Sequence, residues 1–437
     1  MIQQIKYYHQ LQEFLNSSLQ SHQILDVNLC WKLIDDQGAS DLGSALVNCT
    51  NLSNLRLHLR GNKIGDKGAS VLGSILANCT NLSNLTLDLS IRFKKLIGVF
   101  KEIFSKKKNQ IGDQDVSGLG FALANFTFLS NLTLDLRENQ ICHKGALGLV
   151  SALSNSSNLS NLTLDLSGNQ IGDQNASGLG SALANCTNLT NLVLYLIENT
   201  IGDQGALYLG SALANCTNLT NLVLGLSLNE ISAIGVSGIG SALVNCTNIS
   251  NLILNLSYNK LGDQGILCLG YALGNCTNLS NLTLDLIGNQ IGDQSASDLG
   301  SALANCTNLR NLELNLRTNK IGDYGASFLG SALASCTNLS NLTLDLSGNQ
   351  ICDQSASGLG SALSNSTNIS NLTLCLRSNQ IGDQCAQGLG SSLANCTNLS
   401  IFTLYLSKNQ INKQQELKVK SKCLKSKRLV VFNIFYW

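Results

Sequence analysis

Along most of the chain, apolar and polar positions follow one short pattern that restarts every 30 residues. In the copy spanning 159–187, Leu162, Leu164 and Leu166 alternate with Thr163, Asp165 and Ser167, a period of two that predicts a strand with one apolar face. Asn169 follows, Ile171-Gly172 turns the chain, and Asp173 is placed as a helix N-cap. Ala176, Leu179, Ala182 and Leu183 then fall at helical spacing, while Gly180 and Ser181 let neighbouring helices approach closely. The helix should end near Asn185-Cys186-Thr187. The isoleucine of the Asn-x-Ile element returns at Ile141, Ile171, Ile201, Ile231, Ile291, Ile321, Ile351, Ile381 and Ile411, with Leu261 in the gap. Earlier copies stand at Ile34, Ile64 and Ile111, and the step of 47 between the last two leaves 17 extra residues around 91–107.

No unit of this size buries its own apolar face, so each must stack on its neighbours. Parallel strands stack about 4.8 Å apart, whereas helices need about 8–10 Å. The mismatch predicts an α/β solenoid bent into a horseshoe, with a parallel concave sheet of about 14 strands and convex helices. One asparagine recurs just after each strand: Asn62, Asn109, Asn139, Asn169, Asn199, Asn229, Asn259, Asn289, Asn319, Asn349, Asn379 and Asn409. A buried amide there bonds backbone groups of adjacent turns that would otherwise go unpaired. The first copy carries Lys32 instead. Residues 24–437 are expected to form the solenoid. Ile5, Tyr8, Leu11, Phe14, Leu15 and Leu19 suit an amphipathic capping helix within 1–23. The strand phase places Leu429, Phe432, Ile434 and Tyr436 in a terminal capping strand over 429–437, which would make the array complete.

Composition agrees with repetition: 39 glycines, no proline and 5 % aromatics. The net charge of +1 hides a segregation, because 91–108 and 412–437 each hold seven Lys/Arg and one Glu, leaving 14 basic against 25 acidic residues elsewhere. The stretch from Ile91 to Lys101 is basic and amphipathic, suited to a membrane surface or a partner helix; a gene-model artefact accounts for it equally well. Nine of the 16 cysteines share one phase, Cys49, Cys79, Cys186, Cys216, Cys246, Cys276, Cys306, Cys336 and Cys396, where Phe126, Ser156 and Ser366 also occur. A place that accepts Phe or Ser is not an obligatory bridge, so these read as small buried groups in a reducing compartment. With no secretory signal and no run of roughly 18 apolar residues, the expectation is a cytoplasmic monomer.

Catalytic chemistry is not visible. His9, His22, His58 and His143 form no metal-ligand spacing, and glycine strings such as Gly178-Leu179-Gly180 lack a following Gly-Lys-Ser/Thr. The protein-kinase signatures are missing as well. No catalytic residue, metal, cofactor or nucleic-acid partner is expected. The informative positions leave the Thr-x-Asp-x-Ser pattern of the strands. Three consecutive copies do so together, with Val193, Tyr195 and Ile197, then Val223, Gly225 and Leu228, then Ile253, Asn255 and Tyr258. Apolar groups clustered over adjacent strands suit a protein-binding patch; drift from the consensus accounts for them too. Arg56, His58 and Arg60 share one strand, a possible anchor for an acidic partner. Asp88, Asp135 and Asp165 should stack about 5 Å apart, inviting a cation or a basic partner unless Arg137 offsets them.

The string Leu-x-x-Leu-x-Leu-x-Leu-x-x-Asn-x-Ile-Gly-Asp-x-Gly-Ala-x-x-Leu-x-x-x-Leu resembles the ribonuclease-inhibitor-type leucine-rich repeat over about 24–437. The 30-residue period and extra strand leucine bring it closer to arrays of some protists, which are sometimes joined to a kinase domain. The resemblance implies a non-catalytic scaffold that binds a protein on its concave face. It leaves open a GTPase-activating or other signalling regulator, as in relatives of nuclear transport and innate immunity, or the repeat region of a kinase-associated protein.

Overall fold

The computed structural model describes residues 4–91, 109, 111–112, 120, 128–141, 148–149, 153, 158–366, 368–394, 398–423 and 431–435. Beyond Ile91 the basic insertion lies outside the described residues, as do Phe126, His143, Ser156, Cys396, Leu429, Tyr436 and the side chains of Phe432 and Ile434. The chain divides into two compact units, Met1–Leu219 with Val223–Gly225, and Thr220–Leu222 with Leu226–Trp437.

In the first unit the strands are β1 (Ile5–Tyr8), β2 (Ile24–Asn28), β3 (Asn54–His58), β4 (Asn84–Asp88), β5 (Asn131–Asp135), β6 (Asn161–Asp165) and β7 (Asn191–Tyr195). They pair parallel in chain order, each repeat position against its own copy, as Leu132 against Leu162 and Asp135 against Asp165. Strand β8 (Asn221–Gly225) gives its last three residues to the first unit and its first two to the second. The second unit continues with β9 (Asn251–Asn255), β10 (Asn281–Asp285), β11 (Asn311–Asn315), β12 (Asn341–Asp345), β13 (Asn371–Cys375), β14 (Ile401–Tyr405) and β15 (Val431–Phe435), again parallel and in register. Each strand-to-strand return passes over a helix where the chain is described, for example Asp173–Leu183 and Asp323–Ala334. Both units are therefore α/β repeat solenoids.

The alternation sets the layers. Leu162, Leu164 and Leu166 are at most 1 % exposed, and so are Ala176, Leu179, Ala182 and Leu183 on the facing helix. Burying a leucine side chain is worth about 1.5–3 kcal/mol, and the three strand leucines return buried in neighbouring copies, as Leu282, Leu284 and Leu286. Between the layers run the loop asparagines. Asn259 Oδ1 accepts from Ile231 N at 3.0 Å, while its Nδ2 donates to Leu226 O and Leu256 O at 2.9 and 3.0 Å, tying two adjacent turns together. Asn62 does the same in the first unit, with Ile34 N, Leu29 O and Leu59 O.

Two expectations are corrected. Residues 1–23 do not form one capping helix. Ile5–Tyr8 is a strand paired parallel with β2, Leu11–Leu15 is a short helix, and Leu19–Ser21 a single 3-10 turn. Pairing with the open edge of β2 satisfies backbone groups that a helix would leave exposed there; Phe14 alone of the expected apolar set is fully buried. Asp173, in turn, does not cap its own helix, whose N-cap is Gly172 with no side-chain bond. Its Oδ1 accepts from Gly202 N at 2.7 Å and Gly205 N at 2.9 Å, capping the helix of the following repeat. Asp36 and Asp293 reach forward in the same way, to Gly65 and Gly68 and to Gly322 and Gly325.

The repeat cysteines lie in this core. Cys276 donates to Ala272 O at 3.4 Å within its own turn and to Leu243 O at 3.6 Å in the turn before. Burial pushes the thiols of Cys79, Cys186, Cys246, Cys276 and Cys336 up to about 11, and those of Cys49 and Cys306 up to about 12.

Candidate functional site

With the leucines turned inward, the alternate strand residues form columns on the opposite face of each sheet. The first column is a second asparagine ladder that the sequence reading missed. In the first unit Asn84 donates to Asn54, Asn131 to Asn84, Asn161 to Asn131 and Asn191 to Asn161. In the second unit the chain of amides runs from Asn221 to Asn371 and stops where Ile401 takes the place. Its signal is the Asn that opens nearly every strand.

The polar candidates of the first unit fall into two groups. Arg56 and His58 both lie 3.9 Å from the Asp26 carboxylate on β2, and Arg60 lies over the Trp31 ring, 5.9 Å from its centre. Asp88, Asp135 and Asp165 do stand opposite one another, yet they do not wait for an outside cation. Arg137 binds Asp135 and reaches Asp165 at 3.1 Å, and Asp88 accepts from Ser90 N and Oγ at 3.0 and 2.6 Å. Burial, ahead of any neighbouring charge, raises the Asp165 carboxyl, while the hydrogen bond that Arg137 donates to Asp135 is the main reason its guanidinium is held more firmly protonated.

The apolar candidates separate by unit. Val193, Tyr195, Ile197 and Val223 belong to the first and are only half exposed. Tyr195 does not project from the face. Its ring lies across Gly225, where an added Cβ would come within 2.6 Å of Tyr195 Cδ1 and 3.3 Å of Ile197 Cδ1. In the second unit Leu228, Ile253 and Tyr258 are 47 %, 44 % and 52 % exposed. Ile253 stands on β9, but Leu228 and Tyr258 are not strand residues. They occupy the turn three residues beyond, at φ +56° and +53°, the position that Gly168, Gly288 and Gly348 hold in other copies. Tyr258 also covers Gly288, where a Cβ would meet its ring at 2.9 Å.

Two further features escaped the sequence reading. On the helix side of the second unit, Leu267 and Tyr271 leave the polar consensus, expose 46 % and 73 % of their surface and help line a groove of 390 Å³. On the strand side, a cavity of 620 Å³ opens among the ends of β11 to β14, lined by Arg317, Ser347, Arg377 and Tyr405 among others. Arg317, Arg377, Tyr405, Leu267 and Tyr271 are isolated departures along the chain, and only the 30-residue register brings the neighbouring copies together.

A family described as Leucine Rich repeat matches residues 51–73, 158–180, 251–270 and 306–330. No curated protein matches the chain. Among solved structures, an internalin from Listeria monocytogenes is 27 % identical, covers 89 % of this chain and 82 % of its own, and superposes with a TM-score of 0.54. A Leptospira interrogans protein with the same kind of repeat is 18 % identical over 97 % of this chain and 99 % of its own, with a TM-score of 0.48.

Proposed function

Because the chain is a leucine-rich-repeat protein, we propose that it is a protein-binding scaffold without catalytic machinery, and that Leu228, Ile253 and Tyr258 anchor its partner. The exposure of Leu228 and Tyr258 in a left-handed turn carries this reading. The left-handed turn belongs to the repeat, taken by Gly168, Gly288 and Gly348 without steric cost. Polar residues take it at Glu138, Glu198, Thr318, Ser378 and Lys408, at about 1–2 kcal/mol for each L-residue. Leu228 and Tyr258 alone among these hold an apolar side chain there. Strained, solvent-facing apolar side chains on consecutive turns are what a contact surface retains. Tyrosine suits it by joining a large apolar ring to a polar tip with few rotatable bonds.

The ribonuclease-inhibitor type is our assignment within the family, supported by the 11-residue helices that accompany 30-residue turns, such as Asp173–Leu183. We also assign the protein to a reducing compartment, in keeping with buried, protonated thiols. The test of function is comparative affinity capture from the native lysate with mass spectrometry. Leu228→Gly with Tyr258→Gly should lose partners that the parent and Thr133→Ala with Thr163→Ala recover, at unchanged or higher melting temperature. Recovery of every partner at parental level by the first pair would overturn the reading.

A further inference from the structure

The cavity at the ends of β11 to β14 carries arginines without counter-ions. Arg137, Arg317 and Arg377 occupy the same place in their repeats, in steps of 30 residues. Around Arg137 that place is saturated, with Asp135 on its own strand and Asp165 on the next. Around Arg377 both acids have been replaced, by Cys375 on its own strand and Tyr405 on the next. Around Arg317, Asn315 stands where Asp135 would, and Asp345 keeps the place of Asp165 without forming an ion pair with it. Among the described residues, neither Arg317 nor Arg377 makes an ion pair.

The Arg377 side chain is nevertheless held. Its guanidinium sits over the Tyr405 ring, 4.3 Å from the centre, and Tyr405 stacks on Phe435 at 4.6 Å with 12° between planes. A guanidinium stacked in this way keeps its outward N–H fork oriented for a planar anion. Its Nε is buried with no hydrogen-bond partner. The same holds for Ser347 Oγ, on a residue only 5 % exposed that lines the same cavity. In sibling copies that hydroxyl is satisfied, by Asp88 for Ser90 and by Asn255 for Ser257. Lys408 adds a third cation to the rim, and Asp345, the one acid in the lining, accepts from Ser347 N at 2.8 Å.

We propose that this cavity binds an acidic peptide segment, a refinement that rests on the protein-binding function above. Spacing selects a peptide over a small anion. Arg317 and Arg377 follow strands β11 and β13, two steps apart, or about 10 Å. In a polyproline II segment, carboxylates three residues apart share one face and lie about 9 Å apart, so one segment can meet both arginines while Ser347 donates between them. A single phosphate or carboxylate reaches only one.

Isothermal titration of the full chain with hexaglutamate at about 20 mM salt, where surface attraction is weakly screened, tests this. Binding should weaken about tenfold or more in Arg317→Gln or Arg377→Gln, fall with added salt, and stay at parental level in Arg310→Gln. Ser347→Ala, which changes no charge, should weaken it severalfold, and melting curves of every variant establish that it is folded. Leu228→Gly with Tyr258→Gly should bind hexaglutamate like the parent, so this site and the apolar anchor fail or stand separately. Absence of hexaglutamate binding, equal binding of hexaglutamine or inorganic phosphate, or parental affinity in the folded Arg317→Gln, Arg377→Gln pair overturns the proposal.

Discussion

A thiol that recurs in a core links stability to alkali. Cys276 and Cys306 are 2 % and 3 % exposed, and burial lifts them to about 11 and about 12 from an ordinary 9.0. The folded state keeps these protons after the unfolded chain has released them. Their contribution is therefore whole below about pH 9 and is lost as pH climbs toward the folded values. Urea midpoints should fall steeply between about pH 9 and 11, and replacing both with alanine should recover about 1 kcal/mol per site of that loss at pH 10. A pH profile unchanged by the replacement would show the thiols uninvolved. At this scale the sequence is a partial guide. Alternation told which side of the strand Tyr195 leaves, but its ring settles over Gly225, 30 residues on. A period of two carries Leu228 and Tyr258 onto the strand face only if the strand runs on to them, and there the backbone turns left-handed instead.

Among elements, the forward reach of Asp36, Asp173 and Asp293 makes the helix starts at Gly65, Gly202 and Gly322 depend on the repeat before. Asp293→Ala should cost about 1 kcal/mol, the usual worth of a cap. The loss belongs to the helix Asp323–Ala334, not to Asp293–Ala304, which contains the mutation. Hydrogen exchange should quicken at the Gly322 and Gly325 amides, the two that Asp293 accepts from. Fraying confined to the helix of residue 293 would contradict the forward cap. The aspartate was legible as a cap from its place before a helical stripe; its client was not, since Gly172 can open the helix unaided. The segment Ile5–Tyr8 misled for another reason. Four residues cannot separate a period of two from 3.6, and its strand state comes from Ile24–Val27, which pair with it.

For the molecule as a whole, the period alone announced strands, helices and their stacking, because each repeat must bury its leucines against identical neighbours. Repeat stability then adds from local terms and interfaces, and the loop ladder concentrates the interface term. Asn259→Ala would orphan Ile231 N and take one of their two ladder donors from Leu226 O and Leu256 O, which keep Asn229 and Asn289, at a cost of about 1–3 kcal/mol. Chemical denaturation should report that drop, and an unchanged midpoint would deny the ladder a structural role. The cavity of β11 to β14 was illegible until the repeats were aligned as columns, since a missing Asp means little unless an Arg stands beside it. The forward caps carry a last consequence, for synthesis. Asp173 precedes the Gly202 amide it holds by 29 residues, so it leaves the ribosome before the helix it will close. Wherever such an aspartate stands, the new helix emerges to find its acceptor already in place; growth from the amino end is the direction in which this array is easiest to build.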